Sequence, residues 1–163
     1  MISEKLVKLI NDQIKAELES EYIYLAMAVW CAKEGFTGAY SWLIKQSEEE
    51  HEHAMKFIDY LKSSNAEVVI PSISKPDASF DSLLDIFEKA LEHERYISSR
   101  IFKLVDSSVE EDDKFTEDFL GWYVEEQREE ETTFNFVVKK LKLVGSNIHG
   151  LMMIDSMLAN RED

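Results

Sequence analysis

Glu50-His51-Glu52-His53 sets a carboxylate and an imidazole three residues apart, the spacing that puts two side chains on one face of a helix. Further acids interrupt stripes that are otherwise apolar. Ile10 and Ile14 lead to Glu17 and on to Tyr24. Leu43 and Gln46 lead to Glu50, His53, Phe57 and Leu61. Phe87 and Leu91 lead to Glu94, Ile97 and Ile101, and Leu120 and Tyr123 lead to Gln127, Glu130, Phe134 and Val137. Apolar residues at this spacing form the buried face of a helix, so each of four helices is predicted to bring a carboxylate into the core near its middle. Several uncompensated buried carboxylates are very costly. No Lys or Arg lies on these stripes near the acids. Metal ions remain as the counter-charge, and oxygen-rich ligation with one imidazole suits iron, manganese or zinc.

Taken singly these signals are weak. A lone Glu on a helix is ordinarily solvated, and Glu-x-x-His arises by chance in acidic helices. Four interruptions at mid-helix, in a compatible order, carry the reading together. Di-metal bundles use one Glu from each of two helices and a Glu-x-x-His from each of the other two. Glu17 and Glu94 are the single carboxylates, Glu50 and His53 the first motif. The second motif is altered to Gln127-Arg128-Glu129-Glu130. The set divides into two positions bridged by Glu50: Glu17, Glu50 and His53 at one, and Glu50, Glu94 and Glu130 at the other, with Gln127 as a weak ligand. The second position lacks an imidazole and is expected to hold its ion less tightly. His51 and His93 point elsewhere on the helical wheel and are read as structural. Cys31, Trp30 and Trp42 carry no signal beyond packing.

Breakers along the chain define the elements that must position these groups. A helix is predicted from Ser3, as N-cap, to about Glu34, near 45 Å long. Gly35 to Gly38 reads as a short turn to a second helix from about Ala39 to Ser64. Asn65 to Ser79 holds both prolines, Pro71 and Pro76, and shows no helical period. It reads as an extended crossover able to span roughly 50 Å. A third helix follows from about Asp81 to Ser107, then an acidic turn from Ser108 to Asp113. A fourth runs from about Asp112 to Val144, with Gly145 as its C-cap. A short fifth runs from Ile148 to Ala159, before a polar tail. The expected fold class is all-α: a single domain with a four-helix bundle over 1–145, one long crossover between helices two and three, and a short C-terminal helix and tail over 146–163. The apolar Leu151, Met152, Ile154 and Met157 of the last helix are expected to be buried against another subunit.

The bulk numbers are consistent with this. The 163 residues suit one domain. The formal net charge of −15 argues against a nucleic-acid partner, which would need clustered Lys and Arg. The single Cys gives no internal disulfide. The N-terminal residues form an amphipathic helix start rather than a signal peptide, and no apolar run approaches the length of a membrane span. A cytoplasmic location and no membrane partner are expected.

Glu17, Tyr24, Glu50-x-x-His53, Glu94 and Gln127-x-x-Glu130 resemble the ferroxidase centre of non-haem ferritins of the bacterial and archaeal type. The stretches Gln46-Ser-Glu-Glu-Glu-His-Glu-His53 and Trp122-Tyr-Val-Glu-Glu-Gln-Arg-Glu-Glu-Glu131 carry the likeness, which extends over nearly the whole chain. The resemblance implies an iron-storage protein that oxidises Fe(II), with O2 or H2O2 as oxidant, at a pair of iron positions. It implies a third iron site at Glu49, Glu126, Glu129 and Glu130, and a redox role for Tyr24. It also implies a hollow homo-oligomeric shell of 24 subunits with the fifth helix near its four-fold axes. Bacterioferritins carry Glu-x-x-His on helix four and a haem-ligand methionine on helix two; this chain has neither, with Glu52 and its neighbours at the latter place, so no haem is expected. A solvated-face reading competes for Glu49, Glu126 and Glu129, and a packing role for Tyr24. Glu110, Asp113 and Glu117 are candidates for an ion channel. Two other readings share the bundle: a rubrerythrin-like peroxidase, disfavoured by the single Cys, and a passive metal-binding bundle. A DNA-protecting mini-ferritin is disfavoured by the fifth helix.

Overall fold

Three of the four long helices begin on a side-chain cap of their own. In the computed structural model, which describes residues 2–161, α1 spans Glu4–Lys33, α2 Thr37–Ser63, α3 Leu83–Glu110, α4 Lys114–Val144 and α5 Ile148–Ala159. The end of the expected polar tail, beyond Arg161, lies outside the described residues. Ser3 Oγ accepts from Leu6 N at 3.1 Å, Ser82 Oγ from Asp85 N at 3.0 Å and Asp113 Oδ1 from Thr116 N at 3.1 Å. Each satisfies a backbone donor that the first turn leaves open. The caps set the starts of α3 and α4 two residues later than the apolar pattern suggested.

The start of α2 differs from the expectation in the other direction. Thr37 and Gly38 are already helical, and the turn is confined to Glu34–Phe36. Phe36 provides no side-chain cap. Asp155 of α5 does so instead: its carboxylate accepts from Gly38 N at 3.1 Å and Ala39 N at 2.8 Å. A negative charge there also suits the positive end of the helix dipole. The approach is so close that a Cβ on Gly38 would stand 1.8 Å from the Asp155 carbonyl oxygen. Gly38 is thus a docking position for α5 and not a turn residue.

α1 and α2 form one hairpin, α3 and α4 the other, and α1 also packs on α3. The crossover, residues 64–82, lies along α1. Near the start of α1, Asn11 donates to Glu67 O at 2.9 Å and accepts from Val69 N at 2.7 Å. Near its end, Trp30 meets Phe80 edge to face. The connection therefore travels the length of the bundle, and α3 runs parallel to α2.

The interior is apolar at both ends and polar in the middle. One cluster gathers Tyr24, Met27, Trp42, Leu43, Phe87 and Phe134; the other gathers Ile10, Ile14, Phe57, Leu61, Ile101 and Leu120. Between them lies a layer of buried Gln13, Glu17, Gln46, Glu50, His53, Glu94, Gln127 and Glu130. The expectation that Leu151, Met152, Ile154 and Met157 are buried against another subunit needs correction at Ile154. Ile154 and Leu158 are buried against the chain's own bundle, while Met152 and Met153 stay 60% and 74% exposed. Asp155 pins the helix to α2, which turns the first pair inward and the methionines outward.

Candidate metal centre

The helices bring the predicted acids into one layer. Glu17, Glu50, Glu94, Gln127 and Glu130 are all buried, and His53 is buried beside them. Glu17, Glu50 and His53 each present a ligand atom within 4.8 Å of the other two, which is the first expected metal position. His53 Nδ1 stands 3.5 Å from Glu50 Oε2, and its Nε2 faces the other way, 3.7 Å from Glu126 Oε1. A second trio forms there from His53, Glu126 and Glu130.

Glu94 joins neither trio among the described residues. The Tyr24 hydroxyl donates to its Oε1, and the Gln127 amide donates to its Oε2 at 3.1 Å. Gln127 also reaches the Glu94 carbonyl and Ser98 Oγ, each at 3.2 Å. Thus Gln127 is turned with its donor end toward Glu94. Tyr24 is fully buried and stacked on Phe134. Burial, with the Glu94 and Glu50 charges, pushes its phenol well above the ordinary tyrosine range, so it stays protonated.

Glutamines satisfy most of the other carboxylate oxygens. Gln13 donates to Glu17 Oε1 at 2.8 Å. Gln46 donates to both oxygens of Glu130, at 2.9 and 3.0 Å, and to Glu50 Oε1 at 3.2 Å. Each of these glutamines is oriented in turn by an arginine outside the layer. Arg100 Nε donates to Gln13 Oε1 at 2.9 Å, and an Arg161 nitrogen donates to Gln46 Oε1 at 3.1 Å. The stripes indeed lack basic residues, but two guanidiniums act one residue further out. Sequence reading missed Gln13, Arg100 and Arg161. Gln13 stands four residues before Glu17 as Gln46 does before Glu50, a spacing that could have found it; the arginines are distant in sequence and left no such signal.

One buried polar atom among the described residues has no partner: Glu17 Oε2. The same Glu17 carboxylate belongs to the trio with Glu50 and His53, where a cation would meet it. Burial raises the carboxyls of Glu17 and Glu50. Burial also lifts Glu94 to about 7 and, with the Glu94 charge, lifts Glu130 to about 8. Burial pulls the His53 imidazole down, but the Glu126 and Glu50 carboxylates outweigh it and hold the group up at about 11. The layer thus stores protons where it has no metal, and a metal ion must displace them. Two carboxylates with one imidazole nitrogen in each trio suit the harder transition ions.

The remaining candidates are placed as follows. Glu49 is half-buried, and Arg161 donates to its Oε2 at 2.6 Å. Glu129 is exposed. His51 is exposed and lies 3.2 Å from Glu21. His93 turns away from the acids to meet Ser20 Oγ at 2.7 Å, and burial drops it to about 4. The channel candidates have local partners: Glu110 pairs with Lys5 at 3.1 Å, Glu117 with Lys114 at 3.1 Å, and Asp113 caps α4.

A family model for the ferritin-like domain matches residues 7–144. A bacterial non-heme ferritin of Campylobacter jejuni is 40% identical over 160 residues, covering 98% of this chain and 96% of that one. One from Bacteroides fragilis is 41% identical over 161 residues, covering 99% and 100%. A crystal structure of an open-pore ferritin from the archaeon Archaeoglobus fulgidus superposes with a TM-score of 0.98 at 39% identity, covering 99% of this chain and 100% of that one. Fold, buried acidic layer and full-length similarity agree, and the chain belongs to the ferritin family.

Proposed function

We propose that this chain is the subunit of an iron-storage shell and oxidises Fe(II) to Fe(III) at a pair of positions inside its own bundle. The observation that carries this reading is the buried Glu17 carboxylate, grouped with Glu50 and His53 and with its Oε2 unpartnered. A fold seldom leaves a buried carboxylate oxygen unsatisfied unless an ion or a water completes it, and the grouping with a second carboxylate and an imidazole favours the ion. Fe(II) is the substrate. Glu17, Glu50 and His53 hold one ion; Glu50, Glu94 and Glu130, with Gln127 close by, hold the other. Each ion pair gives up two electrons to O2 or peroxide, and the product Fe(III) passes on to hydrolyse as mineral within the shell.

Side chains of this chain govern the step in three ways. The glutamines keep the carboxylates pointed inward before iron arrives. The imidazole and carboxyls give up their protons as the ions bind. The apolar clusters on either side confine solvent to the ligand layer. Tyr24, protonated and hydrogen-bonded to Glu94, supplies an electron in this step. Glu126 and Glu130, with Glu49 and the more exposed Glu129, form a third iron position on the way out. The relatives are named non-heme ferritins, and we read this chain likewise as free of haem. No helix among the described residues is long and apolar enough to cross a membrane, and we assign the shell of 24 subunits to the cytoplasm, with no nucleic-acid partner.

Stopped-flow Fe(II) oxidation tests the assignment. A Glu50→Ala, His53→Ala double variant should lose the rapid phase by at least about a hundredfold, since both ions lose a ligand. Equal rates in variant and parent would remove the site.

A further inference from the structure

Arg161 closes the outer side of the acidic layer. It follows α5, and its backbone N–H donates to Leu158 O. Its guanidinium folds back onto α2 over the Trp42 ring, 4.6 Å from the centroid. One nitrogen donates to Glu49 Oε2 at 2.6 Å; another donates to Gln46 Oε1 at 3.1 Å and the Trp42 carbonyl at 3.3 Å. The side chain is only 17% exposed. Its field reaches Glu126, and Glu49 in turn is felt by Glu130. The contrast with Arg100 is informative. Arg100 meets Gln13, the Asp12 carbonyl and the Tyr96 hydroxyl, none of them a carboxylate. Arg161 binds a carboxylate of the layer's outer face directly.

We propose that Arg161 is the resting counter-cation of the Glu49–Glu126–Glu130 face, and that a metal ion occupying that face displaces the guanidinium from Glu49. The inference rests on the two-ion reading above. Before the ion arrives, Arg161 neutralises Glu49 and holds Gln46 with its amide toward Glu130. An ion at the outer face repels the guanidinium and takes its place. The departure frees Gln46, whose grip on Glu130 loosens, so occupation of the outer position weakens the hold on the ion behind it. Displacement needs only the last turn of the described chain to move, because Arg161 lies past the final helix. Arg161 is a positioning residue in this account and contacts no ion.

Zn(II), which is not oxidised, is the probe. Calorimetric titration of the assembled, metal-free protein should show two tight equivalents per subunit and a weaker third. Arg161→Gln removes the competing charge and keeps a planar polar group, and the third equivalent should bind about tenfold tighter, as expected for loss of one nearby positive charge at an intermediate dielectric. Arg161→Lys keeps the charge and should stay close to the parent. A purely structural role for Arg161 would alter thermal stability in both variants and leave the third step unmoved in both; that result overturns the inference. A parent isotherm lacking the two tight steps overturns the two-ion reading instead. A second measurement does not depend on the variants: a crystal of the parent carrying three Zn(II) per subunit should show Arg161 parted from Glu49, and an intact pair there overturns the inference.

Discussion

In the buried acidic layer the carboxylate oxygens differ in how they are satisfied, and those differences make residue-scale predictions. Glu17 keeps one oxygen unpartnered in a buried site, so metal-free Glu17→Gln should melt higher than the parent, by the equivalent of about 1–3 kcal/mol, while its first Zn(II) equivalent weakens at least about tenfold. A lower melting temperature would show that the oxygen is already satisfied. The acids also set a pH dependence. Their folded pKa values lie above the unfolded range near 4.5, at about 7 for Glu94 and about 8 for Glu130. A raised folded value means the native state holds more protons. Its stabilising contribution is complete below about pH 4.5 and is lost as the pH rises through 7 to 8. His53, raised to about 11, has the same sign at higher pH. Metal-free protein should therefore lose thermal stability between pH 5 and 8, and a Glu94→Gln, Glu130→Gln variant should show a flatter slope. Zn(II) affinity should climb over the same interval as protons are displaced. Identical slopes in parent and variant would assign the effect to the surface charge instead.

Among the elements, α5 does more than extend the chain. It carries the cap of α2 in Asp155 and, through Arg161, a contact to the acidic layer. Asp155→Ala should cost about 1 kcal/mol by loss of the cap, with Asp155→Asn retaining most of it. Gly38→Ala should cost about 1–3 kcal/mol, because the added methyl meets backbone that cannot turn aside. Denaturant unfolding checks both; a neutral Gly38→Ala would mean that α5 docks loosely. Four long helices, the crossover and the short last helix were legible because apolar periodicity and the breakers Gly and Pro act locally. The start of α2 was not, since its cap lies 116 to 117 positions away. Gly38 looked like a turn residue for the same reason: the sequence shows an absent side chain but not what fills its place.

For the whole molecule, the exposed methionines of α5 mark the face that assembly must cover. Met152 and Met153 present flexible apolar side chains to solvent in the isolated subunit. Replacing both with Asp should shift the protein, by size-exclusion chromatography, from the proposed large shell toward small oligomers of the 18.9 kDa chain, with the bundle's helical signal intact. Retention of the full shell would place the covering contacts elsewhere.

The sequence by itself determined the helices, the crossover and the identity of the acids in the core. Each rests on residue type and a period of 3.6, and a carboxylate on an apolar stripe is visible without coordinates. It did not determine the direction in which each polar group is spent. Only the tertiary structure turned Gln127 and Tyr24 onto Glu94, Gln46 onto Glu130 and Gln13 onto Glu17, and left one Glu17 oxygen unpartnered. It also placed His53 between two groups of acids, with a nitrogen toward each. The arginines behind the glutamines belong to the same class. Their contacts span 87 and 115 positions of chain, and no local pattern encodes a contact that packing alone creates.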